Sequence, residues 1–274
     1  MSSCAHRKAS AFRDRSTSMA AMTKTEHLEH FKGARELAAR LSDQIEMCER
    51  QNRVIFTPFL SQGEGMIAQR LCGRGQPYAF DGGYPGAERC CYAFLPYPDT
   101  EVCFPICLLK AAYRPRFETL THRDVLGAFM HQGIEREQLG DIVMTQDAVY
   151  VAVSESISGY LIDQVTKIRH TSLRFERYEG VLHHTPSFEV RQYNVSSLLM
   201  DAVVASLCRL PRAKAASLIA SGMVKVNDLP LETSSSLCHN NSTVSIRGHG
   251  RFQFIEVKHT TKKNRFVIEV RVYC

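Results

Sequence analysis

The stretch from Ser196 to Arg251, SSLLMDAVVASLCRLPRAKAASLIASGMVKVNDLPLETSSSLCHNNSTVSIRGHGR, constrains the fold more than any other part of the chain. Leu198, Ala202, Val203, Ala205 and Leu207 recur at roughly helical spacing. Ala215, Leu218 and Ile219 do so again after Pro211, whose fixed φ suits the first turn of a helix. Gly222 ends that second helix. Val224-Lys225-Val226 alternates as a strand does, Asn227-Asp228 supplies turn residues, and Val244 to Arg247 reads as the returning strand. Two short helices and a strand-turn-strand therefore form one compact unit. Arg209, Arg212, Lys214, Lys225, Arg247 and Arg251 all lie on it, against three acids, Asp201, Asp228 and Glu232.

That local surplus accounts for the surplus of the whole chain. Residues 181–274 hold 12 Lys+Arg and 6 Asp+Glu, while residues 1–180 hold 22 of each, so the net charge of +6 comes from the C-terminal third. A one-sided basic excess is the footprint of a polyanion partner, because neutralising phosphates releases their counterions and yields affinity without any chemistry. The first turn of the second helix adds backbone N–H groups that suit a phosphate. The motif suits structured RNA, read by shape and backbone. Beyond it, residues 257–274 form a basic C-terminal strand extension, with Lys262, Lys263 and Arg265 in a loop before a final alternating strand, Phe266 to Tyr273.

Ahead of this unit the pattern predicts an α+β chain. Residues 1–25 read as a disordered leader, whose first 22 residues are Arg- and Ser-rich with Asp14 as the single acid. Residues 26–75 read as a helical N-terminal segment. Leu28, Phe31, Leu37, Leu41, Ile45 and Cys48 trace one helix face, and Ser61-Gln62-Gly63-Glu64 has the form of a capping box starting a second helix. Residues 76–182 mix strands (91–95, 102–109, 148–153 and 168–175) with helices over 123–132 and 155–164. This order suggests a split βαβ, RRM-like sheet with helices on one face. A linker is expected over 180–192, before the helix-helix-hairpin domain at 190–256.

Several chemistries are excluded. The ten cysteines include no C-x-x-C pair, and neither Cys90-Cys91 nor Cys103/Cys107 has zinc-finger spacing, so the expectation is reduced, packed thiols in a cytoplasmic protein with no metal and no cofactor. No apolar run approaches a membrane span. His122-Arg123-Asp124 has Phe129 where a kinase catalytic loop needs Asn. It reads instead as a helix start, with Thr121 as N-cap and Asp124 at the third helical position. Gly82-Gly83-Tyr84-Pro85-Gly86 reads first as a turn. A possible second RNA surface is drawn from Tyr84 and Arg89 beside that turn and from His122, Arg123 and Arg136.

The run Leu210-Pro211-Arg212-Ala213-Lys214-Ala215 through Val224-Lys225-Val226-Asn227 resembles the S4-type RNA-binding domain, named after a ribosomal protein. Ser245-Ile246-Arg247-Gly248-His249-Gly250-Arg251-Phe252, with FDGGYPGAER at 80–89 and LTHRDVLGAFMHQGIEREQLGDI at 120–142, is similar to the bacterial YlmH-type family of S4 proteins, over about the whole chain after residue 25. The resemblance implies a non-enzymatic factor that binds ribosomal RNA and tRNA on the large ribosomal subunit carrying stalled peptidyl-tRNA, in ribosome-associated quality control. A monomer with no small-molecule substrate is expected. It implies Arg212, Lys214, Lys225 and Asn227 as RNA contacts. The family's usual Arg is replaced by Leu199, and Pro211 stands at the usual Ser cap, so contacts from the first helix are not expected. The alternatives are an RNA-modifying enzyme of pseudouridine-synthase type, although Asp124 and Asp141 lack the Arg-Leu-Asp context of such enzymes, and an adaptor in cell division.

Overall fold

The computed structural model describes residues 34–73, 75–113, 118–184 and 188–273. The leader expected at 1–25 lies outside them. The chain divides into two units, whose main spans are Leu41–Thr185 and Pro186–Cys274.

In the first unit, helix α1 (Ala34–Gln51) buries Leu41 and Cys48, two turns apart on one face. Helix α2 (Gln62–Cys72) begins at the predicted capping box: the Ser61 hydroxyl accepts from the Glu64 N–H, and the Glu64 carboxylate accepts from the Ser61 N–H at 2.7 Å. Between the helices the helical pattern had left no room for a strand, yet β1 (Ile55–Leu60) is there. Its Pro58 argues against a strand on sequence grounds. The chain accommodates it with a register shift between Phe56 and Phe59, where the Thr57 hydroxyl accepts the Tyr92 N–H at 2.9 Å. β1 pairs with β3 (Cys90–Phe94), which pairs with β2 (Tyr78–Asp81), giving an antiparallel sheet of three strands.

A second sheet has the order β5-β6-β4-β9, with all neighbours antiparallel: β4 (Ile106–Ala112), β5 (Leu139–Met144), β6 (Ala148–Ser154) and β9 (Phe175–Arg177). Helix α3 (His122–Met130) links β4 to β5, and α4 (Glu155–Gln164) follows β6. Alternate residues Leu109, Ala111, Val149, Val151 and Phe175 face Val125 and Phe129 of α3 and Leu161 of α4. Phe129 and Phe175 meet edge to face, with centroids 5.2 Å apart. Burying each such side chain contributes about 1.5–3 kcal/mol.

Four expectations change here. The strand expected at 102–109 starts only at Ile106, after Pro105, which has no N–H to donate. The 91–95 strand belongs to the other sheet, and its place is taken by β5, where Gly140 and Asp141 had hidden the strand pattern. The strand expected at 168–175 is cut by Arg169, which is left-handed at φ 54°, into a ribbon of β7 (Lys167–Ile168) and β8 (Thr171–Ser172) followed by β9. Finally, the linker expected over 180–192 ends in a strand, β10 (Phe188–Val195). It is an edge strand with mostly exposed side chains, so its sequence lacks an apolar alternation.

The second unit is an antiparallel sheet of six strands in the order β10-β15-β14-β13-β11-β12, with α5 (Met200–Cys208) and α6 (Arg212–Ala220) packed on its apolar side. Its remaining strands are β11 (Val224–Val226), β12 (Leu229–Pro230), β13 (Thr243–Ile246), β14 (Gly250–Thr260) and β15 (Phe266–Tyr273). Val203, Val204, Ala215 and Ile219 of the helices meet Val224, Val244, Ile246, Phe252, Phe254, Ile268 and Val270 of the sheet. Asn227 and Asp228, at φ 50° and 67°, form the two-residue turn between β11 and β12, the handedness that matches sheet twist. Of the eight described cysteines, all free, six are buried, Cys208 is half-buried and Cys103 is exposed. Burial pushes the Cys238 thiol up to about 12.

Candidate nucleic-acid interface

In the second unit, sheet register decides which cations share a surface. Val224 and Val226 point into the core, so Lys225 stands on the opposite face. Lys225 pairs with Ser245, and Ser245 with Arg251, which puts the three in one row across β11, β13 and β14. Gln253, Arg271 and Val190 form a second row on the same face. Two Arg side chains lie over aromatic rings there: Arg251 over Tyr273 at 5.1 Å and Arg271 over Phe188 at 4.7 Å. Arg271 also donates to the Gln253 side-chain oxygen Oε1 at 3.1 Å. The face is thus cationic. Arg271, Tyr273 and Phe188 were missed as site residues. The alternation Glu269-Arg271-Tyr273 was the available signal for the first two, whereas Phe188 depended on the unrecognised β10.

The remaining expected contacts differ in how far they are already committed. Arg212 is held by Asp201 of the preceding helix through Nε–Oδ2 at 2.7 Å and Nη2–Oδ1 at 2.8 Å, a pairing that raises the guanidinium pKa. Arg251 is half-buried and lies 3.6 Å from Asp228. The Asn227 side-chain oxygen accepts the Thr243 N–H at 2.8 Å, inside the turn. Arg209 caps α5 in the left-handed region at φ 55° and is exposed. Lys214, Lys225 and Arg247 are exposed and, with Arg209, make no ion pair among the described residues. Lys262 and Lys263 lie in the β14–β15 turn, lining a hollow with Asn194, Thr261 and Arg265. That turn is about 30 Å along β14 from Arg251, at ~3.3 Å per residue, so the expected set is spread along the sheet rather than gathered at one point.

In the first unit the candidate second surface resolves into separate places. Tyr84 is buried, donating its hydroxyl to Asp141 Oδ2 at 2.9 Å; burial first, and then the Asp141 charge, push the phenol far above its ordinary value. Asp141 also accepts the Glu88 N–H at 2.6 Å and the Arg89 N–H at 3.3 Å. Arg89 reaches the carbonyls of Leu139 and Phe59, at 3.1 and 2.8 Å, and Arg136 those of Leu139 and Gly140, at 2.6 and 3.2 Å. Tyr84, Arg89 and Asp141 thus fasten the 82–89 loop and β1 to β5, whereas Arg136 bonds only to the start of β5, three and four residues further on. His122 and Arg123 stay exposed on the first turn of α3. Among the described residues no group of three or more His, Cys, Asp or Glu side chains could hold a metal ion, and no helix is long and apolar enough to cross a membrane.

Residues 98–180, which span the second sheet and its helices, match a family model described as "Putative RNA-binding domain in YlmH". The ribosome-associated protein quality control protein P2 of Bacillus subtilis (strain 168) is 32% identical over 244 residues, which cover 87% of this chain and 95% of that protein. The chain belongs to the YlmH family. A solved structure of the cell division protein ylmH from Streptococcus pneumoniae is similar at 22% identity and a TM-score of 0.47, over 54% of this chain and 92% of that one. In this YlmH-family chain the matched segment and the basic sheet fall in different units.

Proposed function

We propose that this chain is a non-enzymatic RNA-binding protein that works on the ribosome, gripping structured RNA through its second unit, an S4-like domain. The observation behind this reading is the set of exposed cations with no carboxylate partner among the described residues, Arg209, Lys214, Lys225 and Arg247, on the unit that holds the chain's entire positive surplus. Such residues neutralise phosphates and release counterions, so they confer affinity by themselves. The aromatic rings beside Arg251 and Arg271 add stacking surface for an unpaired base. The strand order β5-β6-β4-β9, interleaved with α3 and α4, supports reading the first unit as RRM-like.

The similarity to a ribosome-associated quality control protein supports the large ribosomal subunit with stalled peptidyl-tRNA as the working partner. Sedimentation of the full chain with purified large subunits tests this. The wild type is expected to travel with the subunits at low salt, and Lys214→Glu with Lys225→Glu to remain at the top of the gradient. A wild type that stays at the top, or a double variant that still travels with the subunits, overturns the proposal.

A further inference from the structure

In an RRM-like sheet, RNA bases stack on the face that the helices leave open. Here that face is closed: Leu108, Val143, Tyr150 and Ala152 pack against Phe59, Tyr84, Cys91 and Leu182. Lys110, on that face, is half-buried over the rings of Tyr150 and Tyr178, at 5.6 and 5.2 Å. A segment that matches an RNA-binding family model therefore needs a different surface for RNA.

The helix side offers one. Helix α3 and the β7–β8 ribbon frame a shallow groove of about 450 Å³, lined by Arg123, Asp124, His131, Lys167 and Arg169 over a floor of Gly127 and Ala128. Gly127 faces open space, with nothing within 4 Å of where a Cβ would lie, so a strand of backbone can approach closely. Arg123, His131 and Lys167 are exposed and make no ion pair among the described residues. Arg169 is placed by two carboxylates, Glu118 Oε1 at 3.1 Å and Asp124 Oδ2 at 3.6 Å, from the left-handed corner of the ribbon. Glu118 in turn accepts the His170 N–H at 3.1 Å and the Thr171 hydroxyl at 2.9 Å. Both carboxylates thus serve the ribbon turn, and the guanidinium, with five donors, keeps others available. Apart from the His131 imidazole, the described lining carries no ring to stack a base.

We propose that this groove is where the first unit holds RNA, by the phosphate backbone and without reading sequence. The inference rests on the reading of the chain as an RNA-binding protein. The test compares full-chain variants in equilibrium binding to one structured RNA across a salt series. Arg123→Glu with Lys167→Glu is expected to weaken binding at least tenfold and to flatten the dependence of log K on log salt by about 1.4–1.8, since each phosphate contact contributes about 0.7–0.9 to that slope. Arg50→Glu with Arg70→Glu, exposed on α1 and α2, makes the same change in net charge away from the groove and is the control. Lys167→Ala, a milder change at an exposed ribbon end, is expected to move affinity and slope in the same direction by about half. If the groove variants lose no more than the control while Lys214→Glu with Lys225→Glu still abolishes binding, the groove inference fails and the RNA reading stands. If the wild type binds no RNA, both fall.

Discussion

Asp141 shows how one residue can decide what a loop is for. By accepting from Tyr84, Glu88 and Arg89 it turns a Gly-rich segment into a strut between two sheets. Nothing in the local sequence around Tyr84 and Arg89 could reveal this, because the partner is more than fifty residues away. Its neighbour Gly140 is legible only in three dimensions as well: a Cβ there would lie 2.7 Å from Phe59 Cε1 and 2.9 Å from the Ala152 Cβ. Gly140→Ala is therefore expected to lower stability by about 1–3 kcal/mol, the usual cost of overpacking, as read from the urea midpoint. An unchanged midpoint would mean that β1 and β5 are not held in close contact.

Elements whose signals are local were legible. Both capping boxes, Ser61/Glu64 and Thr121/Asp124, appear where the spacing placed them, and Gly222 at φ 70° follows α6 as expected. Strands that depend on distant partners were not. β1 contains a proline, β5 contains Gly-Asp, β10 is a polar edge strand, and the 168–175 run is broken by one left-handed arginine. The α3 cap also makes a pH prediction. The Thr121 hydroxyl and N–H, followed by Arg169, hold the Asp124 carboxyl below its ordinary 3.8. Burial pushes Glu118 up from its ordinary 4.5, but Thr171, the His170 N–H and Arg169 together outweigh it and leave the net shift downward. A carboxyl depressed in the folded state stabilises the fold above its ordinary value and ceases to do so as pH falls through the folded one. The urea midpoint is therefore expected to drop as pH is lowered below about 4, and Asp124→Asn to make that drop shallower. Thr121→Ala is expected to cost about 1 kcal/mol near neutral pH. A midpoint independent of acid in both proteins would remove the role given to the cap.

At the scale of the whole molecule, the charge asymmetry was visible from the sequence alone, and so was the helix-helix-hairpin pattern of the second unit. The way the cations are distributed was not. Sheet register brings Lys225 and Arg251 into one row and adds Arg271 beside them, whereas Lys262 and Lys263 lie at the far end of the long hairpin. Arg212 is partly occupied by Asp201, which leaves Lys214 and Lys225 as the cations most able to meet phosphate. The electrostatic grip on RNA proposed for the second unit is tested most directly by the salt dependence of affinity for structured RNA. For the wild type, log K is expected to fall steeply and linearly with log salt, and Lys214→Glu with Lys225→Glu to lower that slope by about 1.4–1.8. Equal slopes for the two proteins would contradict the claim.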